Sequence, residues 1–282
     1  MFTYSKKDLP KNTTSVDIKI PWSDIVKKKE ECFNKLCKQL QIPGFRKGNV
    51  PPSIAKKHIS KEKVYQEVIN TLLPEILSEI IKKENLAVIA SPKIELKKAK
   101  ENEDWQIEIQ LALKPEVNLG NFKEEIKKIK IEEQKVDIWI PGKGNKKNDE
   151  SEQVHNQKLL LKILNKLLEV CKCEISDIII QEELNNRLSH LLDELQKIGL
   201  TIESYLKSKN ISAEQLKEQI KKEIEETYKL EFILQKIADQ ENIIVENIDL
   251  EKLFNSISDP KEKEEAKRNA YFYSGILRKQ KT

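Results

Sequence analysis

The side chains that most often act in catalysis are sparse and scattered in this sequence. The three histidines, His58, His155 and His190, lie far apart, and none falls within a known nucleophile or metal pattern. Glutamates are frequent, but they are interleaved with lysines as on solvated helix faces. Neither a P-loop nor a Gly-x-Ser-x-Gly element occurs. We therefore expect no catalytic residues, and we expect no cofactor.

The four cysteines form two close pairs, Cys32 with Cys37 and Cys171 with Cys173. Neither pair has Cys-x-x-Cys spacing and no histidine lies nearby, so we expect no metal site. Reduced thiols packed on helices fit these pairs better. The first residues contain no apolar segment of a secretory signal, which together with reduced thiols predicts a cytoplasmic protein.

A turn-rich segment at residues 42–52 has the residue types of a binding loop. Its central residues are Gly44, Phe45, Arg46, Lys47 and Gly48. Two of only seven glycines in the chain permit a sharp turn there, and the flanking prolines stiffen its stems. The loop would display one apolar ring and two cations, which suits a partner with phosphates and an apolar pocket. The alternative is an ordinary helix connection whose phenylalanine folds back onto the core.

Positive charge is concentrated in the part of the chain that contains this loop. The first hundred residues hold 21 lysines and arginines against 11 acidic residues, whereas residues 101–150 and 151–282 each carry a net charge of −3. Lys56 and Lys57 extend the cationic surface on a predicted helix after the loop. This asymmetry predicts an anionic partner for the N-terminal part, and a solvated lysine-rich surface is the alternative explanation.

The composition excludes several classes of protein. At 282 residues the chain is long enough for two domains. Charged residues make up 35% of it and hydrophobic residues 38%, and no apolar run approaches the roughly 20 residues of a membrane span. We therefore expect long amphipathic helices, with no membrane segment and no membrane partner.

The elements that position the loop follow from the spacing of apolar residues. Strands are predicted at residues 16–20, 94–96 and 105–113, and helices at residues 22–40 and 60–84. Pro74 should kink or split the second helix, because proline lacks a backbone donor. Strands mixed with helices predict an α+β domain over residues 1–115.

The second half of the chain has a different pattern. Residues 116–151 are charged and then turn-rich, and we predict an extended linker there. The remainder, residues 152–282, is predicted to be an all-α domain. One apolar stripe ends at Gly199, as expected after a helix, and Ser212 with Gln215 matches a capping box.

The loop also carries a resemblance to a known family. The residues Gly44-Phe45-Arg46-Lys47-Gly48-Asn49-Val50-Pro51 resemble the Gly-Phe-Arg-x-Gly-x-x-Pro signature of trigger factor, the bacterial chaperone at the ribosomal exit tunnel. The segments Leu73–Glu75 and Leu113–Val117 are similar to the family as well, and Gln181–Leu184 with Glu203–Leu206 are similar to its C-terminal domain.

This resemblance implies an α+β ribosome-binding domain joined to an all-α chaperone domain of the SurA-like, trigger factor C-terminal type. It implies docking on an exit-tunnel ribosomal protein and ribosomal RNA, and binding of nascent or unfolded polypeptides. The implied ribosome-binding residues are Gly44, Phe45, Arg46, Lys47, Gly48, Lys56 and Lys57. The resemblance leaves undecided whether the chain forms a homodimer away from the ribosome.

The sequence departs from the family at one place. The family usually carries an FKBP-like peptidyl-prolyl isomerase domain between these two parts, and here only residues 135–151 stand there. That segment is too short for a sheet and a helix. We therefore expect a non-catalytic, ribosome-associated chaperone. The alternatives are a peptidyl-prolyl isomerase, as in full-length members, and an RNA-binding helical adaptor.

Overall fold

The chain folds into two units, which are described separately. The computed structural model describes residues 2–43, 45–46, 50–136, 149–257 and 259–282. The units are Met1–Lys114 and Pro115–Thr282. The first is α+β and the second is almost wholly helical, which confirms the predicted fold class.

The first unit is an antiparallel sheet covered by helices. Its elements are β1 (Thr3–Leu9), β2 (Thr13–Ile20), α1 (Trp22–Gln39), α2 (Pro52–His58), α3 (Lys61–Lys83), β3 (Lys93–Lys98) and β4 (Trp105–Ala112). The strand order is β1-β2-β4-β3, so β2 and β4 are central and the other two are edges. The alternating strands predicted from the sequence are therefore the two central ones, whereas β1, which lacks clear alternation, was missed.

The core of this unit lies between the two central strands and the helices α1 and α3. Ile18 of β2 and Ile107 of β4 are register partners, and both are fully buried, as are Ile25 of α1 and Ile80 of α3. Each fully buried side chain of this size stabilises the fold by about 1.5–3 kcal/mol relative to an exposed one. Strict alternation in β2 and β4 is what points these side chains to one face.

The opposite face of the sheet carries a polar network around Glu108 of β4. Its carboxylate accepts a hydrogen bond from Ser15 Oγ at 2.8 Å and forms an ion pair with Lys97 Nζ at 2.5 Å. The hydrogen bond from Lys97, followed by those from Ser15 and Gln110, lowers the pKa of Glu108 to about 2. The carboxylate therefore stays ionised and links β2, β3 and β4.

Helix α3 corrects one prediction about Pro74. The helix runs from Lys61 to Lys83 with the proline inside it, so the expected split does not occur. Leu73 and Leu77, on either side of the proline, are both buried in the main core. Packing of this apolar face compensates for the backbone hydrogen bond that proline cannot donate.

The second unit consists of eight helices and one short strand pair in its described residues. Its elements are β5 (Val117–Asn118), α4 (Phe122–Val136), α5 (Asp149–Val170), β6 (Lys172–Cys173), α6 (Asp177–Lys197), α7 (Ile202–Lys209), α8 (Ala213–Gln240), α9 (Asn247–Ser256), α10 (Pro260–Arg268) and α11 (Ala270–Lys281). The strands β5 and β6 pair antiparallel. Helix α8 is the longest element and contacts α5, α6 and α11.

The predicted linker at residues 116–151 needs correction, because its first part is folded. Residues 117–118 form β5 and α4 follows, and α4 packs against α5 of the same unit. Phe122, Ile126 and Ile129 are spaced by four and three residues, so they share the helix face that packs inward. This helical period was overlooked among the surrounding charges. Residues 137–148 lie outside the described part of the chain.

The predicted helix ends are found where the sequence indicated them. Helix α6 is followed by Gly199 in a left-handed conformation, with φ of +70°. Ser212 caps α8 by accepting from the Gln215 backbone N–H at 3.2 Å, while the Gln215 side chain accepts from the Ser212 N–H at 2.9 Å. Such a capping box satisfies two backbone donors that the helix cannot satisfy itself.

Candidate functional site

The candidate binding loop connects α1 to α2 in the first unit. Phe45 and Arg46 are its described central residues, whereas Gly44, Lys47 and Gly48 lie outside the described part of the chain. The backbone N–H of Phe45 donates to the carbonyl oxygen of Ile42 at 3.1 Å, which closes a turn as α1 ends. Phe45 is therefore the last residue of this turn, and Arg46 comes directly after it in the chain.

A small apolar cluster of its own supports the two stems of the loop. Its members come from α1, the loop stems, α2 and the start of α3. The buried members are Val50, Ala55, Ile59 and Val64, and the partly buried ones are Phe33, Leu36, Cys37, Leu40, Ile42 and Ile54. The main core under the sheet has different members. The loop is thus anchored by packing that is separate from the sheet core.

Phe45 does not belong to this supporting cluster. Its side chain is 38% exposed, although phenylalanine is among the residues most often buried. The structure therefore favours display of the ring over the alternative in which it folds back onto the core. An exposed aromatic ring on a supported loop is a typical anchor for a partner surface.

Three cations close to Phe45 in the sequence are exposed: Arg46 in the loop, and Lys56 and Lys57 on α2. Within the described residues, none of the three forms an ion pair. Other lysines of the helices in this unit differ, because Lys28 pairs with Glu75 at 3.1 Å and Lys61 pairs with Glu101 at 3.4 Å. The positive charge around the loop is thus left available to an external anion.

A groove of about 670 Å³ is lined by residues of α1, α2 and the start of α3. Val26, Phe33 and Ile59 contribute apolar surface, and Lys56 lies at its edge. Lys29 and Lys61, which also line the groove, pair with Glu101, whereas Lys56 forms no ion pair within the described residues.

The remaining reactive side chains lie in unreactive surroundings. His58, His155 and His190 are all exposed on helices. All four cysteines are free, but only Cys32 and Cys37 lie on a helix, since Cys171 follows α5 and Cys173 is in β6. Burial raises the pKa of the Cys173 thiol to about 11, so it stays protonated and a poor nucleophile.

Across the described residues, no group of three or more histidine, cysteine or acidic side chains is arranged to hold a metal ion. Within the same residues, no helix is long and apolar enough to cross a membrane.

A second exposed surface, in the helical unit, was missed by the sequence analysis. A groove of about 650 Å³ lies between α8, the turn after it and α11. Its apolar lining residues are Leu234, Ala238, Ile243, Ile244, Val245, Tyr271, Phe272 and Ile276. Tyr271 is 94% exposed and Ile244 is 74% exposed. The signal that could have revealed it is Tyr271-Phe272-Tyr273, three consecutive rings in a chain with only 6% aromatic residues.

The charged residues around this helical groove are paired. Arg278 forms an ion pair with Asp239 at 2.7 Å and also donates to the carbonyl oxygen of Ile243 at 2.8 Å. Lys279 pairs with Glu231. These pairs hold the turn after α8 against α11 and neutralise the rim, so the groove offers mainly apolar and aromatic surface.

The two units together define a class of protein. An α+β unit with a helix–loop–helix is followed in the chain by a helical unit with exposed apolar surface. Residues 2–140 match the sequence model of the bacterial trigger factor protein, and residues 144–277 match that of its C-terminus. The chain belongs to the trigger factor family.

Individual relatives agree with this family. The trigger factor of Streptococcus pneumoniae (strain Hungary19A-6) is 35% identical over 111 residues, which are 39% of this chain and 26% of the relative. That of Streptococcus mutans serotype c is 36% identical over 94 residues, 33% of this chain and 22% of the relative. The chain thus aligns with about a quarter of the length of these relatives.

A solved structure and the positions of the matches add to this. A structure of the trigger factor chaperone superimposes with a TM-score of 0.65 at 14% identity and covers 99% of this chain and 97% of that one, which shows a shared fold. The two matched sequence models are separated only by residues 141–143. As expected from the sequence, there is no room between them for an isomerase domain.

Proposed function

We propose that this chain is a ribosome-associated molecular chaperone that docks beside the polypeptide exit tunnel and shields nascent or unfolded chains. The first unit would supply the anchor and the second the surface that holds clients. The observation that carries the docking part is the exposed Phe45 on a separately supported loop, with Arg46 and the α2 lysines exposed and forming no ion pair among the described residues. The proposed partners are an exit-tunnel ribosomal protein and ribosomal RNA, in the cytoplasm.

The loop chemistry supports a mixed protein and RNA partner. Phe45 offers an apolar contact for a pocket on a protein, and Arg46 offers a planar fork of donors that fits phosphate oxygens. Lys56 and Lys57 add charge on the adjacent helix. We propose that Gly44, Lys47 and Gly48, known here from the sequence alone, complete this docking motif.

Co-sedimentation with purified non-translating ribosomes tests the docking proposal. The variant Phe45→Ala, Arg46→Ala, Lys47→Ala should lose binding by more than about tenfold, because exposed aromatic and arginine anchors dominate interface energies. The control Tyr271→Ala, Lys207→Ala, Lys209→Ala removes one exposed ring and two exposed lysines from the second unit. Equal pelleting of wild type and the loop variant would refute the docking surface.

The helical groove at α8 and α11 supports the client-holding part of the proposal. Exposed contiguous apolar surface is uncommon on monomeric proteins unless it binds something. Because the surrounding charges are paired, the groove suits apolar and aromatic segments that an unfolded chain exposes. Binding there would be adaptable, since Tyr271 and Phe272 project from one helix and Ile244 from a turn.

An aggregation assay with a chemically unfolded client tests this second part. We expect wild type to suppress aggregation, and Ile244→Ser with Tyr271→Ser to require a several-fold higher concentration for the same effect. The matched control Leu160→Ser with Leu161→Ser removes exposed apolar side chains from α5, outside the groove. Equal losses in both variants would mean that clients are held over scattered surfaces and not in the groove.

We also propose that the chain lacks peptidyl-prolyl isomerase activity. The support is the adjacency of the two trigger factor matches, which leaves three residues where the isomerase domain of the family is inserted. A proline-isomerisation assay on the purified chain should give the uncatalysed rate. Measured acceleration would favour the isomerase alternative over a purely holding chaperone.

A further inference from the structure

The edge strand β3 differs from the opposite edge of the sheet. Among the described residues, no strand pairs with its outer side, because the order β1-β2-β4-β3 ends there. Ile94 is 44% exposed and Leu96 46% exposed, whereas β1 carries no comparably exposed large apolar residue. An unpaired edge presents a row of backbone donors and acceptors that can pair with another strand.

The exposed side chains of β3 continue an apolar face of the sheet. Ile94 is the register partner of Ile109, and Leu96 is the partner of Ile107, and both partners are fully buried. Register partners in antiparallel strands point to the same face. The apolar face that α1 and α3 cover on the central strands therefore continues onto β3, where its side chains are about half exposed.

The other face of β3 is basic. Lys93, Glu95 and Lys98 are the register partners of polar residues of β4, and the register shifts at Lys97. The charged residues of β3 sum to +2. Lys97 pairs with Glu108, but within the described residues Lys93 and Lys98 form no ion pair. The edge therefore combines exposed apolar side chains on one face with two unpaired cations on the other.

The geometry points to β3 as a docking edge for an extended segment of an unfolded client that alternates apolar and acidic residues. Added as a fifth strand, such a segment would place its apolar side chains beside Ile94 and Leu96. Its acidic side chains would lie beside Lys93 and Lys98, which share one face because the register with β4 shifts between Leu96 and Lys98. This inference rests on the proposed client-holding function and gives the first unit a share in it.

Charge argues against a second copy of the chain at this edge. Pairing two β3 strands would bring two +2 segments together, and like charges across neighbouring strands are destabilising. Lysines at an edge are a common means of preventing self-association through sheets. These lysines repel a second β3 strand and attract an acidic segment, so they would favour an acidic client over another copy of the chain at this edge.

Peptide binding to the full chain tests the inference. The probe is a fluorescent peptide of about eight residues, a usual strand length, that alternates valine and glutamate. One control peptide has lysine in place of glutamate, and a second is N-methylated at alternate residues so that it cannot donate hydrogen bonds along one edge. We expect the acidic peptide to bind about threefold to tenfold tighter than the lysine peptide, because its pairs with Lys93 and Lys98 outweigh the opposing pair with Glu95.

Variants of the edge locate the binding. Lys93→Glu with Lys98→Glu should reverse the charge preference. Ile94→Thr with Leu96→Thr should weaken binding about threefold to tenfold, while threonine keeps a good strand propensity at both positions. The control Lys7→Glu changes an exposed lysine on the other edge and should bind as wild type. Hydrogen exchange should show new protection in β3 on binding.

Several results would overturn the inference. They are no binding of the acidic peptide, equal binding of the N-methylated peptide, or protection that does not include β3. The aggregation assay separates this failure from failure of the proposed function. If wild type suppresses aggregation and the peptide fails to bind, only the edge is refuted, whereas a wild type that does not suppress aggregation refutes the holding function itself.

Discussion

Lys56 and Lys57 allow a quantitative test of the proposed docking surface, because both are exposed on α2 and form no ion pair within the described residues. We expect Lys56→Gln with Lys57→Gln to weaken ribosome binding and to make the remaining binding less sensitive to salt. Glutamine retains the helix propensity and much of the length of lysine while removing its charge, so α2 should be preserved.

The size of the effect follows from counterion release. Each cation that contacts a phosphate adds about 0.9 to the slope of log K against log salt concentration on a duplex. Contacts from Arg46, Lys47, Lys56 and Lys57 predict roughly 10²-fold weaker binding at 200 mM salt than at 50 mM. Removing two of the four leaves a loss of roughly tenfold over the same range.

The assay is co-sedimentation with purified ribosomes over a series of salt concentrations, comparing slopes as well as affinities. The matched control is Lys207→Gln with Lys209→Gln, two exposed lysines on α7 of the other unit. Its slope should equal that of wild type. If the α2 variant also kept the wild-type slope, these lysines would not contact phosphates and the electrostatic part of the docking surface would be wrong.

Three further predictions concern stability. The folded pKa of Glu108 is about 2 and its ordinary value is 4.5, so its contribution to folding stability is full above pH 4.5 and is lost as the pH falls toward 2. Glu108→Gln should therefore lower Tm at pH 7 and make Tm depend less on pH between 4.5 and 2. Parallel curves of Tm against pH for wild type and variant would contradict this. Gly120→Ala should lower the free energy of unfolding in denaturant by about 1–2 kcal/mol, because φ at this position is +53°. Gly275→Ala should raise it by about 0.5–1 kcal/mol, because Gly275 lies inside α11 and an added Cβ meets no neighbouring atom. Ile233→Ala in the core of the helical unit should cost about 2–5 kcal/mol, and Ile244→Ala on its surface less than about 0.5 kcal/mol, so similar midpoints for the two would refute the assigned burial.

The parts of the fold that could be predicted from sequence are those with a clean period or a specific cap. Strands β2 and β4 alternate strictly, and Ser212 with Gln215 marks the start of α8 through a local hydrogen-bond pair. Helix α4 was missed because its apolar residues are few among lysines and glutamates. Its burial depends on packing against α5, which no local pattern reports.

The candidate site was predictable in part for a related reason. The two glycines around Phe45 and Arg46 indicated an exposed loop, because glycine favours a turn through its own backbone and needs no distant partner for this. Which lysines remain unpaired was not predictable, because pairing depends on acids distant in sequence: Glu101 reaches Lys61, 40 residues earlier, and leaves Lys56 and Lys57 without a partner among the described residues. The apolar groove at α11 likewise depends on how α8 and α11 pack.

Charge pairing distinguishes the proposed functions of the two units. The first unit, residues 1–114, carries 22 lysines and arginines against 15 acidic residues, and Arg46, Lys56 and Lys57 form no ion pair in the described part of the chain. In the helical unit, Arg278 and Lys279 beside the groove already form ion pairs with acidic side chains, so the groove presents mainly apolar surface to a partner. Salt screens charge attraction but does not weaken apolar burial. Rising salt should therefore release the chain from the ribosome while client holding at the groove persists, so that the two proposed activities can be separated in one titration without a substitution.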